Sequence, residues 1–207
     1  MFRRTCIAGL FVIAVAGVTA AAADDAADCK STSNDNRAIA ACTRVIASGK
    51  FTGKDLGRFY YARGLKRRYN HAYDAAISDF TNTIKLDAKD TWAYVARGHA
   101  YAYKKNFPRA FADQETAIKL EKTAVTHTGR AIDLIEAGAY DRAIADLDEA
   151  LRLDPKYFYA YLNRGDAYRK KRDFTKAEAD YRKALEIKPN ESEATKGLKK
   201  AQGRLAD

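Results

Sequence analysis

The sequence predicts an all-α fold, a solenoid of stacked helix-turn-helix units closed by a C-terminal capping helix. Three observations carry that expectation. Aromatic, Arg-Gly, Ala and Leu-x-x-x-Pro landmarks recur along the chain at spacings of 34, 33 and 34 residues, and a period of that length means supersecondary units stacked side by side. Within each unit apolar residues fall three and four apart, as at Ile144, Leu147 and Leu151, which places them on one stripe of a helix. The composition, 47% hydrophobic and 31% charged with three prolines in 207 residues, fits neither a disordered nor a collagen-like chain.

The units align residue by residue. Their first halves read Tyr60-Tyr61-Ala62-Arg63-Gly64, Tyr94-Val95-Ala96-Arg97-Gly98, His127-Thr128-Gly129-Arg130-Ala131 and Tyr161-Leu162-Asn163-Arg164-Gly165. Their second halves read Tyr73-Asp74-Ala75-Ala76, Phe107-Pro108-Arg109-Ala110, Tyr140-Asp141-Arg142-Ala143 and Phe174-Thr175-Lys176-Ala177. The small residue closing each first-half motif and the final alanine of each second-half motif are expected where two helices cross closely, since a larger side chain would push them apart. The aromatic three residues before each of those alanines fills the space beside the crossing. Asp154-Pro155 and Lys188-Pro189 end helices, because the residue before proline is driven out of the helical region.

A small residue at position eight, an aromatic at seventeen, Ala at twenty and Pro at thirty-two, on this period, resemble the tetratricopeptide repeat family, as found in exported bacterial-type members. The resemblance covers four full units, residues 57–90, 91–123, 124–157 and 158–191, and implies a right-handed superhelix. Departures are Arg at the seventh position where Leu is common, Arg67 at the eleventh where Tyr is usual, and Ala88 and Lys122 in place of the terminal Pro. In the same register residues 24–56 form an abbreviated N-terminal unit. Residues 37–45 match a second helix there, Ala38 takes the role of Ala76, and a short first helix is expected over residues 25–31. Cys29 and Cys42 then occupy positions eleven and twenty-four, which face each other across the helix pair. A disulfide between them is expected in an exported chain; the alternative is two buried thiols. Residues 192–207 read as the capping helix, with Ala194, Leu198, Ala201 and Leu205 on its apolar stripe and Lys196, Lys199, Lys200 and Arg204 elsewhere.

Residues 1–23 have the layout of a signal peptide: Arg3 and Arg4, an apolar run over residues 6–18, then small residues leading to Asp24. Ala21 and Ala23 supply a small-x-small cleavage pattern, and an uncleaved anchor is the alternative reading. After cleavage 37 basic residues become 35 against 27 acidic ones, leaving a moderately basic chain with no membrane span, exported to the periplasm or secreted.

No catalytic or cofactor constellation is expected, and no metal site. His71, His99 and His127 are 28 apart, out of step with the repeat, so they do not stack. Asp146, Asp148 and Glu149 read as a solvated helix face. There is no glycine-rich phosphate loop and no Cys-x-x-Cys.

Two surfaces are candidates for binding. The resemblance implies that the first helices line a concave groove, which assigns to it Arg58, Tyr61, Arg68, Tyr69, Trp92, His99, Tyr103, Tyr159 and Asp166; aromatic anchors flanked by Arg make interaction hot spots. Several of these tyrosines would serve equally as covers for seams between repeats. The arrangement by which some family members clamp a chaperone's terminal carboxylate is not reproduced, since Tyr61 and Leu65 stand at the places needed. The second surface is a basic edge of Lys66, Arg67, Arg68, Lys104, Lys105, Lys170, Lys171 and Arg172, which equally offsets helix macrodipoles. The third unit is acidic, four basic against seven acidic residues, between basic neighbours. The function expected is non-catalytic holding of a protein or peptide in the groove. Binding of an anionic polymer or lipid headgroup along the edge is the alternative, and nucleic acid is not an expected partner.

Overall fold

The computed structural model describes residues 24–31 and 36–203. The expected leader (residues 1–23), Arg204 and Leu205 lie outside the described residues. Among those described there are helices and turns and no strand: α1 (24–30), α2 (Asn36–Ala47), α3 (Gly53–Tyr69), α4 (Tyr73–Leu86), α5 (Thr91–Tyr103), α6 (Phe107–Leu120), α7 (Ala124–Glu136), α8 (Tyr140–Leu153), α9 (Phe158–Lys170), α10 (Phe174–Ile187) and α11 (Ser192–Ala201). None of them is long and apolar enough to cross a membrane.

The helices pair as α3 with α4, α5 with α6, α7 with α8 and α9 with α10, and each pair stacks on the next through its second helix. Helix α3 starts one turn ahead of residue 57, so the boundary expected there falls inside a helix. Every hairpin turns at position fifteen of its unit, where His71, Lys105, Gly138 and Arg172 all have φ between 59° and 76°. The amide after each of these residues reaches back to a carbonyl five residues earlier, as from Ala72 to Arg67 and Asp173 to Tyr168; this is the closing bond of a left-handed helix C-cap. Only the third unit uses glycine there, although the left-handed region disfavours other residues.

The expected end signals at Asp154 and Lys188 hold, both adopting extended backbone. Asp87 and Glu121 end their helices with the same backbone although Ala88 and Lys122, not proline, follow them, so stacking of the next unit, and not proline alone, sets that boundary.

The core is thin and rich in alanine. Ala76, Ala110, Ala143 and Ala177 are fully buried. Position twenty-four of each unit, occupied by Phe80, Gln114, Leu147 and Tyr181, is fully buried as well. Its side chain fills the space left by the small residue at position eight. A Cβ on Gly64 would meet the Phe80 ring at 2.7 Å, and one on Gly165 would meet Tyr181 at 2.9 Å. Tyr181 is held from the other side by Gly197 of α11, which is how the terminal helix covers the last unit.

In the N-terminal unit Cys29 and Cys42 form a disulfide with Cα atoms 4.6 Å apart. The bridge is buried against Ala41, Val45 and Phe59, tying α1 to α2, while Arg44 grips Asp25 across the same pair at 2.6 Å.

Candidate binding surface

What orients the first helices (α3, α5, α7, α9) is an ion-pair ladder. Arg63, Arg97, Arg130 and Arg164 each donate two hydrogen bonds, through Nε and Nη2, to a carboxylate sixteen residues later on the second helix: Asp79, Asp113, Asp146 and Asp180, at 2.6–3.1 Å. Three of these arginines also reach back to the previous unit through Nη1. Arg63 bonds Thr43, Arg97 bonds Thr81 and Arg164 bonds Asp148. Each of these three guanidinium groups thus fixes both the helix pair and its joint to the unit before, using the planar fork that carboxylates match. The hydrogen bond each donates to its carboxylate raises the pKa of Arg97 and Arg130, against the opposing effect of burial.

This corrects one expectation. Asp146 does not lie on a solvated face; it is buried, taken by Arg130 and within 3.3 Å of His127 Nδ1. Amphipathic periodicity sorts Asp with solvent and is blind to a cation across the helix pair. The signal was present as an Arg at position seven and an Asp at twenty-three in all four units.

The first helices touch one another from unit to unit, α3 with α5, α5 with α7 and α7 with α9, and α9 touches α11, whereas no two of the second helices α4, α6, α8 and α10 make contact. A stack whose elements are close on one side and spread on the other curves toward the close side, so the first helices line the inner face.

The residues expected in the groove divide into two sets. Tyr69, Trp92, Tyr103 and Tyr159 are about half exposed, between 48% and 60%. Arg58 is exposed and paired with Asp55 on its own helix. The others are engaged in seams. Tyr61 packs on Phe80 with ring centroids 5.8 Å apart, and burial, reinforced by the charge of Asp90, pushes its hydroxyl up to about 12. His99 Nδ1 lies 2.6 Å from Asp133 of the next unit, and Asp133 also accepts from Gln114 Nε2 at 2.6 Å. Asp166 accepts from Tyr181 Oη at 2.7 Å. Arg68 lies half-buried over the Tyr69 ring, 5.2 Å from its centroid. The polar joint of Gln114, Asp133 and His99 was not foreseen; its trace in the sequence is a glutamine at a position where other units carry Phe, Leu and Tyr.

The basic edge is not a continuous cationic strip. Lys66 is buried and donates to the Ser31 carbonyl at 2.7 Å, and Arg67 joins Arg63 on Asp79 at 2.9 Å. Three consecutive residues on a helix point about 100° apart, so the run 66–68 serves three different surroundings. Lys104 pairs with Asp74, Lys171 with Asp141 and Lys105 with Glu136, each in a neighbouring unit. Arg172 stacks on Phe174, and Lys170 is exposed.

The described residues contain no cluster able to hold a metal ion. Two clefts open on the first-helix face. One of about 270 Å³ is lined by Arg68, Tyr69, His71, Tyr73 and Tyr103, and a smaller one of about 30 Å³ by His99, Ala102, Tyr103, Ile132, Asp133 and Glu136.

Helix pairs on this period, stacked through the second helix and crossing over a small residue at position eight, agree with a family model: residues 128–192 match the one described as tetratricopeptide repeat. Over residues 128–192 the chain carries the tetratricopeptide repeat, and its array resembles proteins of that family. Solved repeat structures superpose on about four fifths of the chain. A thermophilic repeat protein of Thermus thermophilus does so with a TM-score of 0.70 at 17% identity, over 81% of this chain and 90% of that one. YrrB, a repeat protein with an unusual peptide-binding site, gives 0.55 at 21% identity, over 79% and 82%. Among curated relatives, the DnaJ homolog subfamily C member 7 homolog of Dictyostelium discoideum is 26% identical over 160 residues, 69% of this chain and 30% of the relative. Human tetratricopeptide repeat protein 6 is 32% identical over 117 residues, 56% and 22% respectively. The chain spans less than a third of either relative, so what is shared with them is the repeat array.

Proposed function

We propose that this repeat array is a non-catalytic scaffold that holds a peptide or protein segment along the inner face of its first helices, in an exported chain that is periplasmic or secreted. One observation carries the reading. Every exposed large aromatic among the described residues, Tyr69, Trp92, Tyr103 and Tyr159, stands on a first helix. Aromatic side chains left in water on one face of an array are the usual anchors of an interface. The peptide-binding site of YrrB, on the same fold, supports a peptide as the occupant. Export is supported by the leader-like N-terminus and the Cys29–Cys42 bridge. The anionic-polymer reading is not favoured, because four of the eight cations of the edge already face carboxylates and Lys66 is buried on a backbone carbonyl.

The test is selection of displayed peptides on residues 24–207, repeated at two salt concentrations. Selected peptides should bind Trp92→Ala and Tyr103→Ala variants at least about tenfold more weakly, with little dependence on salt. Binding that survives both substitutions and collapses with ionic strength, as counterion release requires, would overturn the groove in favour of the edge. Fractionation of cells expressing the full chain, with N-terminal sequencing, tests export; a cytosolic product retaining residues 1–23 refutes it.

A further inference from the structure

The cleft at the C-terminal ends of α3 and α5 has a composition that names its occupant. Its walls are aromatic: Tyr73 stacks on Tyr103 with ring centroids 5.3 Å apart, His71 Nδ1 is hydrogen-bonded to Tyr73 Oη at 2.8 Å, and Tyr69 closes the other side. Between them lies Arg68. Its neighbours in sequence are committed inward, Lys66 to Ser31 and Arg67 to Asp79. Arg68 makes no ion pair within the described residues, and its Nε is buried without a hydrogen-bond partner. Every other arginine of the first helices has a carboxylate. A desolvated guanidinium with an unused donor is completed by a carboxylate.

The cleft's volume of about 270 Å³ is below that of a typical small-molecule pocket and suits one or two side chains. The smaller cleft continues the surface on the far side of Tyr103, so a bound chain passes through and does not terminate there.

We propose that this cleft is the anchoring subsite for an acidic peptide segment, with an internal Asp or Glu side chain seated on Arg68 and an adjacent aromatic residue laid against Tyr69 and Tyr103. The proposal rests on the first-helix face being the binding face, and deepens that reading by stating the ligand's chemistry.

The experiment is selection from displayed twelve-residue random peptides, with blocked and with free C-termini, on residues 24–207 as wild type and as Arg68→Gln. Wild-type selections should enrich Asp or Glu beside an aromatic residue, in both display formats. Changing that acid to its amide should weaken binding to wild type about tenfold and leave binding to Arg68→Gln unchanged, since the partner charge is already gone. Unaltered far-UV dichroism of the variant excludes misfolding, and Arg68→Lys, which keeps charge without the fork, should recover part of the loss. Equal acidic enrichment on Arg68→Gln overturns the subsite. Enrichment confined to free C-termini overturns the internal side chain in favour of a terminal carboxylate. Peptides that depend on Trp92 and Tyr159 but not on Arg68 refute the subsite alone; no selected peptide at all refutes the groove with it.

Discussion

Replacing Asp113 by leucine removes the acceptor of both hydrogen bonds from Arg97, each 2.8 Å long. The pair is largely withdrawn from water, the arginine side chain being 17% and the aspartate 9% exposed. Removing one partner of a fully buried pair costs ~3–5 kcal/mol, because the survivor stays desolvated without compensation. The residual exposure of Arg97, and its remaining bond to Thr81, reduce this to about 2–4 kcal/mol. Urea unfolding of residues 24–207 followed by far-UV dichroism measures it. Adding Arg97→Met to Asp113→Leu should recover most of the loss, since an apolar pair of similar volume leaves nothing unpaired. A loss below about 1 kcal/mol, the range of surface pairs, or a double variant no better than the single one, would refute the ladder as the element that fixes the helix pairs.

Three further outcomes follow from the packing and its electrostatics. Gly64→Ala drives a Cβ to 2.7 Å from the fully buried Phe80 ring and should cost about 1–3 kcal/mol, whereas at Gly57 the nearest atom is 3.6 Å away; Gly57→Ala should be neutral or stabilising by up to ~1 kcal/mol, and equal effects at the two sites in thermal unfolding would contradict the crossing geometry. Reducing the Cys29–Cys42 bridge, which closes a loop of sequence separation 13, should weaken the N-terminal unit by about 3 kcal/mol and raise hydrogen exchange in α1 and α2 while sparing α7 to α10; uniform exchange along the array would count against nearest-neighbour stacking. Tyr61 stays protonated in the folded chain up to about 12, above its unfolded value near ~10. Its contribution is therefore complete below pH ~10 and is lost as pH rises toward 12, about 3 kcal/mol in all. Tyr61→Phe should flatten stability over that window, and an unchanged pH profile would exclude the burial as its source.

The period, the paired helices and the close crossings were legible because they rest on residue size, and size is visible position by position. Gly64, Gly98 and Gly165 leave room that only the partner helix fills, and the alanines at 76, 110, 143 and 177 answer them. Cys29 and Cys42 were legible for the same reason once the register was extended backwards. Charge was harder to read. An arginine at position seven is indistinguishable, in one helix, from a solvated arginine, and its meaning lies sixteen residues away. The run of Lys66, Arg67 and Arg68 looked like one patch because sequence adjacency hides the helical rotation that sends each side chain to a different neighbour. Of the residues expected in the groove, those at the helix ends, Trp92, Tyr103 and Tyr159, face water, while Tyr61 and His99 close seams, because inner-face residues near a joint are covered by the next unit.

The joint between α6 and α7 has a consequence for how such a chain lengthens. Elsewhere the arginine of an incoming unit finds a hydroxyl or carboxylate on its predecessor, at Thr43, Thr81 or Asp148, so a copied unit could dock on an old one with its ladder intact. The third unit is particular about its neighbour: Asp133 is buried and answered by Gln114, and behind Phe80 or Leu147 it would have no donor at that place. Separating the second unit from the third would therefore strand Asp133, a constraint that the bonds to Thr43, Thr81 and Asp148 do not place on the other joints.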